Sequence, residues 1–176
     1  MSLIAEARHI RIAAFDVDGV LSDGGLHYGE QGDVMKTFDV RDGMGMRLLR
    51  DAGITLAIIT SRKAGSVRER AADLGIEHVE QGVGDKLTAL NGLLARLGLN
   101  GRDAAFLGDD LVDLPVFGIC GLAVTVADAP AALKRRAHYV TRARGGHGAA
   151  REFCELLLHN RDALAPAIDG FIPGAR

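Results

Sequence analysis

The chain has 176 residues, of which 48% are hydrophobic and 25% charged, a composition typical of one globular domain that needs no disulfide or structural metal. Its 21 basic and 23 acidic residues give a net charge of −2 without long runs of either sign, so we expect neither nucleic acid nor a membrane as a partner. Charged residues interrupt the N-terminal segment, where a signal peptide would be apolar. The two lone cysteines, Cys120 and Cys154, are typical of a reducing compartment, and together these features predict a cytoplasmic protein.

Short apolar runs alternate with amphipathic stretches along the chain. The apolar runs predict buried strands, because they are continuous rather than alternating in polarity, over 10–15, 55–59, 104–107 and 122–126, with shorter strands at 78–79 and 138–140. The amphipathic stretches predict helices over 44–52, 64–74, 86–97, 111–120, 130–137 and 149–159. This alternation indicates an α/β fold with a doubly wound, Rossmann-like parallel sheet, whose ligand site lies at the carboxyl ends of the strands.

One segment breaks the alternation, between the first strand and the first helix. Residues 26–28 and 34–38 flank a glycine-containing loop and predict a β-hairpin, which makes a small flap over about residues 25–39. Because the flap is too small for a separate domain, we expect one domain over residues 1–176. The last stretch, about residues 160–176, contains prolines and glycines and predicts an irregular C-terminal tail.

Charged and hydroxyl side chains follow the predicted strands at the edge where the carboxyl ends meet. Asp16 and Asp18 come after the first strand, Thr60 after the second and Asp109 after the fourth, and Lys86 opens the helix that follows the third. Carboxylates crowded in this way stay ionised only beside a positive charge. Mg²⁺ is the simplest such charge, because it prefers oxygen ligands and commonly takes one or two carboxylates beside a phosphate.

Four motifs in this order resemble those of the haloacid dehalogenase superfamily of phosphotransferases. They are DVDGV at 16–20, IIT at 58–60, Lys86, and GDDLVD at 108–113. All four motifs at strand ends are far more specific than a lone D-x-D pair. The resemblance implies a phosphatase of the capless type, with the hairpin as a flap after the first strand.

The resemblance also implies a role for each residue. Asp16 would be the nucleophile that forms an aspartyl-phosphate, and Asp18 the general acid and base. Asp16, Asp109 and the backbone carbonyl of Asp18 would hold Mg²⁺. Thr60 and Lys86 would bind the transferring phosphoryl oxygens, so both count as catalytic and as substrate-binding residues.

Further stretches resemble one branch of the superfamily, the 3-deoxy-D-manno-octulosonate 8-phosphate (KDO 8-phosphate) phosphatases. They are DVDGVLSDG at 16–24, FDVRDGMG at 38–45, SRK at 61–63 and YVTRARGGHGAARE at 139–152. This resemblance implies hydrolysis of a small phosphorylated sugar acid, KDO 8-phosphate, to KDO and phosphate in lipopolysaccharide precursor synthesis. It also implies a homotetramer in which the hairpins pack together and neighbouring subunits help to close each site.

The branch resemblance leaves the substrate contacts as expectations. Arg62 and Lys63 are candidates for binding the carboxylate and hydroxyls of the substrate, since the guanidinium fork suits a carboxylate. Ser61, between Thr60 and Arg62, departs from the glycine that the branch would have there.

Two alternatives to this function stay open from the sequence. One is a phosphatase of a nine-carbon keto-acid 9-phosphate. The other belongs to a different class, a phosphoaccepting receiver-like signalling module, which also has a doubly wound sheet with an acidic pocket, a hydroxyl and a lysine. A receiver would carry its phosphoacceptor aspartate in the middle of the sheet, where this chain has Thr60.

Overall fold

The structure is a computed structural model that describes residues 7–30 and 32–174. In chain order, the strands are β1 (Ile12–Phe15), β2 (His27–Gly29), β3 (Gly32–Met35), β4 (Thr55–Thr60), β5 (His78–Gln81), β6 (Ala104–Gly108), β7 (Leu122–Thr125) and β8 (Tyr139–Val140). The helices are α1 (Val40–Asp51), α2 (Gly65–Leu74), α3 (Lys86–Leu97), α4 (Leu114–Phe117), α5 (Ala131–Lys134), α6 (Ala149–Asn160) and α7 (Leu164–Asp169). None of the helices in these described ranges has the length and apolar character needed to cross a membrane.

The described strands form one six-stranded parallel sheet and one hairpin. The order in the sheet is β5-β4-β1-β6-β7-β8, and β2 pairs with β3 in a separate antiparallel hairpin. The chain moves outward from β1 through β4 to β5, then returns to β6 on the other side of β1. In doubly wound sheets a ligand site lies at such a reversal, beyond the carboxyl ends of the strands. The predicted α/β class and the predicted hairpin are therefore confirmed, and the site is expected beside β1 and β6.

A packed pair of helices covers the strand that leads into this edge. Every residue of β1 is buried, and the Phe15 ring meets that of Phe153 in α6 edge-on, with the ring centroids 5.3 Å apart. Helix α6 packs in turn against α1, where a Cβ at Gly45 would stand 3.1 Å from the Cα of Arg151. Since a buried aromatic pair contributes beyond its buried area, β1 is firmly fixed between sheet and helices.

Three predicted helices differ from the structure. The helix predicted over 130–137 is only the short α5, and in the other two an aspartate sets the boundary. Helix α1 begins at Val40 rather than Met44, since the side chain of Asp39 caps it by accepting from the backbone N–H of Arg41 at 2.7 Å. The helix predicted over 111–120 is a 3₁₀ turn over Leu111–Asp113 followed by the short α4.

The C-terminal tail also differs from its prediction. Helix α6 runs through Asn160, and the short helix α7 follows within the stretch that was predicted to be irregular. The proline of α7 lies in the first turn, where its missing N–H has no helical partner to lose. Residues 1–6, 31 and 175–176, which include the N-terminal segment and the middle of the hairpin loop, lie outside the described residues.

Candidate active site

The first aspartate lies where β1 ends and the chain turns sharply. Asp16 is buried, and its backbone N–H donates to the carbonyl of Leu107 in β6 at 3.0 Å, which continues the sheet pairing into the site. The carbonyl of Val17 then accepts from three successive N–H groups, those of Val20, Leu21 and Ser22. This tight loop, residues 16–20, is called the aspartate loop below.

A buried lysine joins two carboxylates at the centre of the site. The Nζ of Lys86 lies 2.6 Å from Oδ2 of Asp16 and 2.6 Å from Oδ1 of Asp113, and all three side chains are buried. Lys86 is the first residue of α3, whose N-cap Asp85 accepts from the N–H of Leu87 at 2.9 Å. The start of α3 therefore directs the ammonium between two carboxylates, those of Asp16 and Asp113, that are distant in sequence.

Burial and neighbouring charge shift the pKa values of this cluster. Burial raises the pKa of Asp16 to about 6, although the Lys86 ammonium opposes the shift. Burial alone would lower the pKa of Lys86, but the carboxylates of Asp16 and Asp113 raise it above its usual value. The lysine is therefore a fixed positive charge at neutral pH, as a group that binds phosphoryl oxygens must be.

Asp109 follows β6 and faces the aspartate loop. Oxygens of Asp16, Asp109 and Asp113 lie within 4.8 Å of one another. Burial raises the pKa of Asp109 to about 8, and the charges of Asp16 and Asp113 add to the shift. Gly19 has φ +79° and lies so close that a Cβ there would overlap Oδ2 of Asp109, so this position needs glycine both for its backbone and for the space.

The donor set fits a hard divalent cation between two of these carboxylates. Asp113 is already engaged, because its Oδ1 accepts from Lys86 and its Oδ2 accepts from the N–H of Asp109 at 3.0 Å. The Asp109 carboxylate, by contrast, receives no hydrogen bond from the residues that the structure describes, and this residue is half-buried. With its raised pKa, this carboxyl ionises readily at neutral pH only beside a cation, so Asp16 and Asp109 are the side chains that could hold Mg²⁺.

Asp18 points to a different set of partners. Its Oδ1 accepts from the Nζ of Lys36 at 2.5 Å, and its Oδ2 lies 3.7 Å from Nε of Arg62. Arg62 also donates through Nη1 to the hydroxyl of Tyr28 in β2 at 3.3 Å. The hairpin therefore contacts the site from both of its ends, through Tyr28 in β2 and through Lys36, which directly follows β3. Sequence reasoning did not assign Lys36 to the site, although it lies within the predicted hairpin strand over 34–38.

The other predicted residues take different positions around this centre. Thr60 is buried at the carboxyl end of β4, next to β1 in the sheet. The side chain of Lys63 lies against Gly82, so closely that a Cβ at position 82 would overlap it. The structure thus brings Thr60 and Arg62 to the same edge as Asp16, while Lys63 packs on the neighbouring loop.

A glycine-rich loop after β8 closes against the aspartate loop. The N–H of Gly146 donates to the carbonyl of Val20 at 2.8 Å, and a Cβ at Gly145 would overlap the carbonyl of Gly19. The buried carboxylate of Asp42 in α1 accepts from the N–H groups of Gly148 and Arg151 at the start of α6. The motifs at 38–45 and 139–152 are therefore in direct contact, which their separation in sequence conceals.

Comparisons with known proteins agree with this geometry. A family model described as haloacid dehalogenase-like hydrolase matches residues 78–153. The 3-deoxy-D-manno-octulosonate 8-phosphate phosphatase of Yersinia pestis is 49% identical over 165 residues, which cover 94% of this chain and 88% of that protein. The enzyme of the same name from Escherichia coli is 51% identical over 156 residues, covering 89% of this chain and 83% of that protein.

A solved structure extends the comparison to three dimensions. It is the 3-deoxy-D-manno-octulosonate 8-phosphate phosphatase from Moraxella catarrhalis, in complex with a magnesium ion, a phosphate ion and KDO. It is 42% identical to this chain, with a TM-score of 0.93 and coverage of 96% of this chain and 97% of that one. The chain therefore belongs to the haloacid dehalogenase-like hydrolases, within the family of the 3-deoxy-D-manno-octulosonate 8-phosphate phosphatases.

Proposed function

We propose that this chain is a Mg²⁺-dependent phosphatase that hydrolyses KDO 8-phosphate to KDO and inorganic phosphate. The observation that carries the proposal is the placement of the buried Asp16 carboxylate between the Lys86 ammonium, at 2.6 Å, and the carboxylate of Asp109. This arrangement has a nucleophile, a fixed cation for phosphoryl oxygens and a place for a metal within one small volume. Its close relatives carry the name of that activity.

The reaction runs in two displacements at phosphorus, with Asp16 as the nucleophile of the first and the leaving group of the second. In the first, an oxygen of Asp16 attacks phosphorus and the bond between phosphorus and the sugar oxygen breaks, while Asp18 donates a proton to that leaving oxygen. In the second, water attacks the phosphorus of the aspartyl-phosphate and Asp18 takes its proton back from the water. The bond between phosphorus and Asp16 breaks, which releases phosphate and restores both carboxyl groups.

Two groups of the chain bind the phosphoryl during these steps, and a third positions one of them. Lys86 and the hydroxyl of Thr60 bind its oxygens, where negative charge must be met by fixed donors. Asp113 keeps the Lys86 ammonium in place, through the 2.6 Å contact between them. Asp16, Asp109 and the carbonyl of Asp18 would hold Mg²⁺, which would supply the positive charge that lets a carboxylate approach a phosphate dianion.

The substrate carboxylate is proposed to bind at the rim of the site. Arg62 is half-exposed beside Asp18 and next to the hairpin, so its guanidinium can reach a group beyond the phosphoester. Lys63 remains a candidate for the substrate hydroxyls, although it would have to leave its position over Gly82. The nine-carbon alternative has the same chemistry at phosphorus and differs only in the part of the substrate that these residues would contact.

The receiver-like alternative is not favoured by the site. In this chain the two aspartates of the aspartate loop lie after β1, and the hydroxyl of Thr60 ends the next strand in the sheet. Membership in the hydrolase family, over nearly the whole chain, points to turnover rather than a stable phosphoryl mark.

The proposal extends to assembly and context. We propose a homotetramer in which the hairpins pack together. Two large apolar side chains of this short hairpin, Tyr28 and Met35, are 64% and 53% exposed and would be covered by such a contact. We also propose that the enzyme works in lipopolysaccharide precursor synthesis in the cytoplasm. The buried free thiols of Cys120 and Cys154 are in keeping with a reducing compartment.

The proposed function is tested by phosphate release with Mg²⁺ from three substrates side by side. These are KDO 8-phosphate, a nine-carbon keto-acid 9-phosphate and a hexose 6-phosphate. A strong preference for the first supports the proposal. Preference for the second would move the assignment to the nine-carbon alternative, and stable self-phosphorylation without turnover would contradict phosphatase function altogether.

A further inference from the structure

The hairpin places a second buried lysine in the active site. Lys36 follows β3 directly, and its side chain is 1% exposed although it carries a full charge. Its Nζ lies 2.5 Å from Oδ1 of Asp18. Because burying an ammonium is costly unless it is paired and hydrogen-bonded, this contact is a built feature of the fold rather than a chance approach of a surface chain.

The two aspartates of the aspartate loop therefore have separate lysine partners. Lys86 contacts Asp16 from the start of α3, and Lys36 contacts Asp18 from the end of the hairpin. The two oxygens of Asp18 differ as a result. Oδ1 is bound by Lys36, whereas Oδ2 has Arg62 Nε at 3.7 Å, beyond hydrogen-bond length, and is the oxygen available for proton transfer.

We propose that Lys36 is a positioning residue, which fixes the Asp18 carboxylate so that its Oδ2 faces the leaving oxygen of the substrate. This inference rests on the proposed function, in which Asp18 is the general acid. A general acid must stand within hydrogen-bond reach of the atom that it protonates, and a displacement of about 1 Å can cost about 10²-fold in rate. Lys36 thus makes the hairpin part of the catalytic apparatus, and not simply a cover.

The test separates proton delivery from phosphoryl transfer by the choice of leaving group. A sugar alkoxide leaves only when it is protonated, whereas nitrophenolate leaves without a proton. We would measure the first step in single turnover with KDO 8-phosphate and as the burst of nitrophenolate with p-nitrophenyl phosphate. In Lys36→Met, we expect the first rate to fall about 10²-fold and the second to stay within about threefold of the wild type.

Two further variants show whether a lower rate in Lys36→Met reflects the lost contact or a loss of folding. Lys36→Arg keeps the charge and a donor, so we expect it to recover most of the rate with KDO 8-phosphate. Lys134→Met makes the same change at the C-terminal end of α5, at a lysine that makes none of the contacts described for the site, and should equal the wild type with both substrates. The Mg²⁺ concentration for half-activation should be unchanged in Lys36→Met, since the metal-binding carboxylates are not altered.

The outcomes separate this inference from the substrate assignment. Equal losses with both substrates, no loss with either, or a raised KM alone would each overturn the positioning role of Lys36. If the wild type does not turn over KDO 8-phosphate, the proposed substrate fails instead. The comparison is then made with the hexose 6-phosphate, an alkyl ester with the same need for a proton on its leaving oxygen.

Discussion

Asp16 combines three demands in one carboxylate. Its Oδ2 accepts from Lys86 at 2.6 Å, and in the proposed mechanism the same carboxylate attacks phosphorus and helps to hold a cation. An amide retains the shape of the side chain but cannot serve as the nucleophile. We therefore expect Asp16→Asn to lower phosphate release by at least about 10⁴-fold, with no phosphorylated protein detected by mass spectrometry. Asp51→Asn, at the exposed end of α1, is the matched control, and retention of wild-type turnover by Asp16→Asn would remove the proposed nucleophile.

If Asp109 holds Mg²⁺ as proposed, we expect the response of the protein to Mg²⁺ to depend on pH. Its pKa is about 8 and that of Asp16 about 6, both above the ordinary value of 3.8, so the folded protein binds these protons more tightly than the unfolded chain does. Without metal, the stability that these protons provide is therefore lost as pH rises from about 4 through about 8. A bound divalent cation replaces the protons, so its stabilising effect grows over the same interval.

The corresponding measurement is thermal unfolding with Mg²⁺ and with chelator. We expect the difference in Tm between the two conditions to be larger near about pH 8 than near about pH 5. In Asp109→Asn the difference should nearly vanish at both values. A Mg²⁺ effect of equal size at both pH values in the wild-type protein would contradict the assignment of Asp109 as a ligand.

At the residue level, sequence reasoning succeeded where strand ends determine position. Asp16 and Asp109 follow apolar runs, and the carboxyl ends of parallel strands share an edge, so their proximity could be predicted. Lys36 and Asp42 were not assigned to the site, because no periodic pattern marks a lysine after a hairpin or a buried carboxylate in the first turn of a helix. Their partners lie 18 and 109 residues away, for Asp18 and Arg151 respectively, which only the folded chain shows.

Among the elements, the loop after β8 is the one that constrains the aspartate loop most closely. Gly145 has no room for a Cβ beside the carbonyl of Gly19, so an alanine there must push the two loops apart. We expect Gly145→Ala to lower kcat about 10²-fold through displacement of the aspartate loop, and to lower Tm as well. Phosphate release and thermal unfolding measure the two effects.

The matched control is an alanine in place of an unconstrained glycine. Gly92 lies in α3, where the nearest atom to a new Cβ is the tip of Arg96 at 3.9 Å. Gly92→Ala should leave turnover unchanged and stabilise the helix by up to about 1 kcal/mol. Normal activity in Gly145→Ala would show that the two loops can separate without consequence for the site.

The elements themselves were largely predictable, and the differences have local causes. Continuous apolar runs identified the strands of the sheet, since both faces of a parallel sheet are covered. Helix boundaries are harder to predict. Caps such as Asp39 and Asp110 act through side-chain hydrogen bonds, which the spacing of apolar residues does not reveal. Helix α7 is hard to predict because its proline suggests a break in the chain, although a proline in the first turn is compatible with a helix.

For the whole molecule, the exposed apolar residues of the hairpin predict self-association. Leu26, Tyr28 and Met35 are at least 36% exposed although they belong to one short element. We expect light scattering to give the mass of a tetramer and Leu26→Asp together with Met35→Asp to give smaller species, because charges at an apolar contact must be desolvated. An unchanged mass in the double variant would place the contact elsewhere, and Ile168→Asp on α7 serves as a control for a new surface charge.

The place of the hairpin in the chain determines how it could be exchanged for another. Its strands pair with each other and not with the strands of the central sheet, and it is inserted between β1 and α1. The contacts among Asp16, Lys86 and Asp113 do not pass through it. A different hairpin could therefore replace this one without disturbing those contacts, provided that it keeps a lysine at the position of Lys36 to contact Asp18.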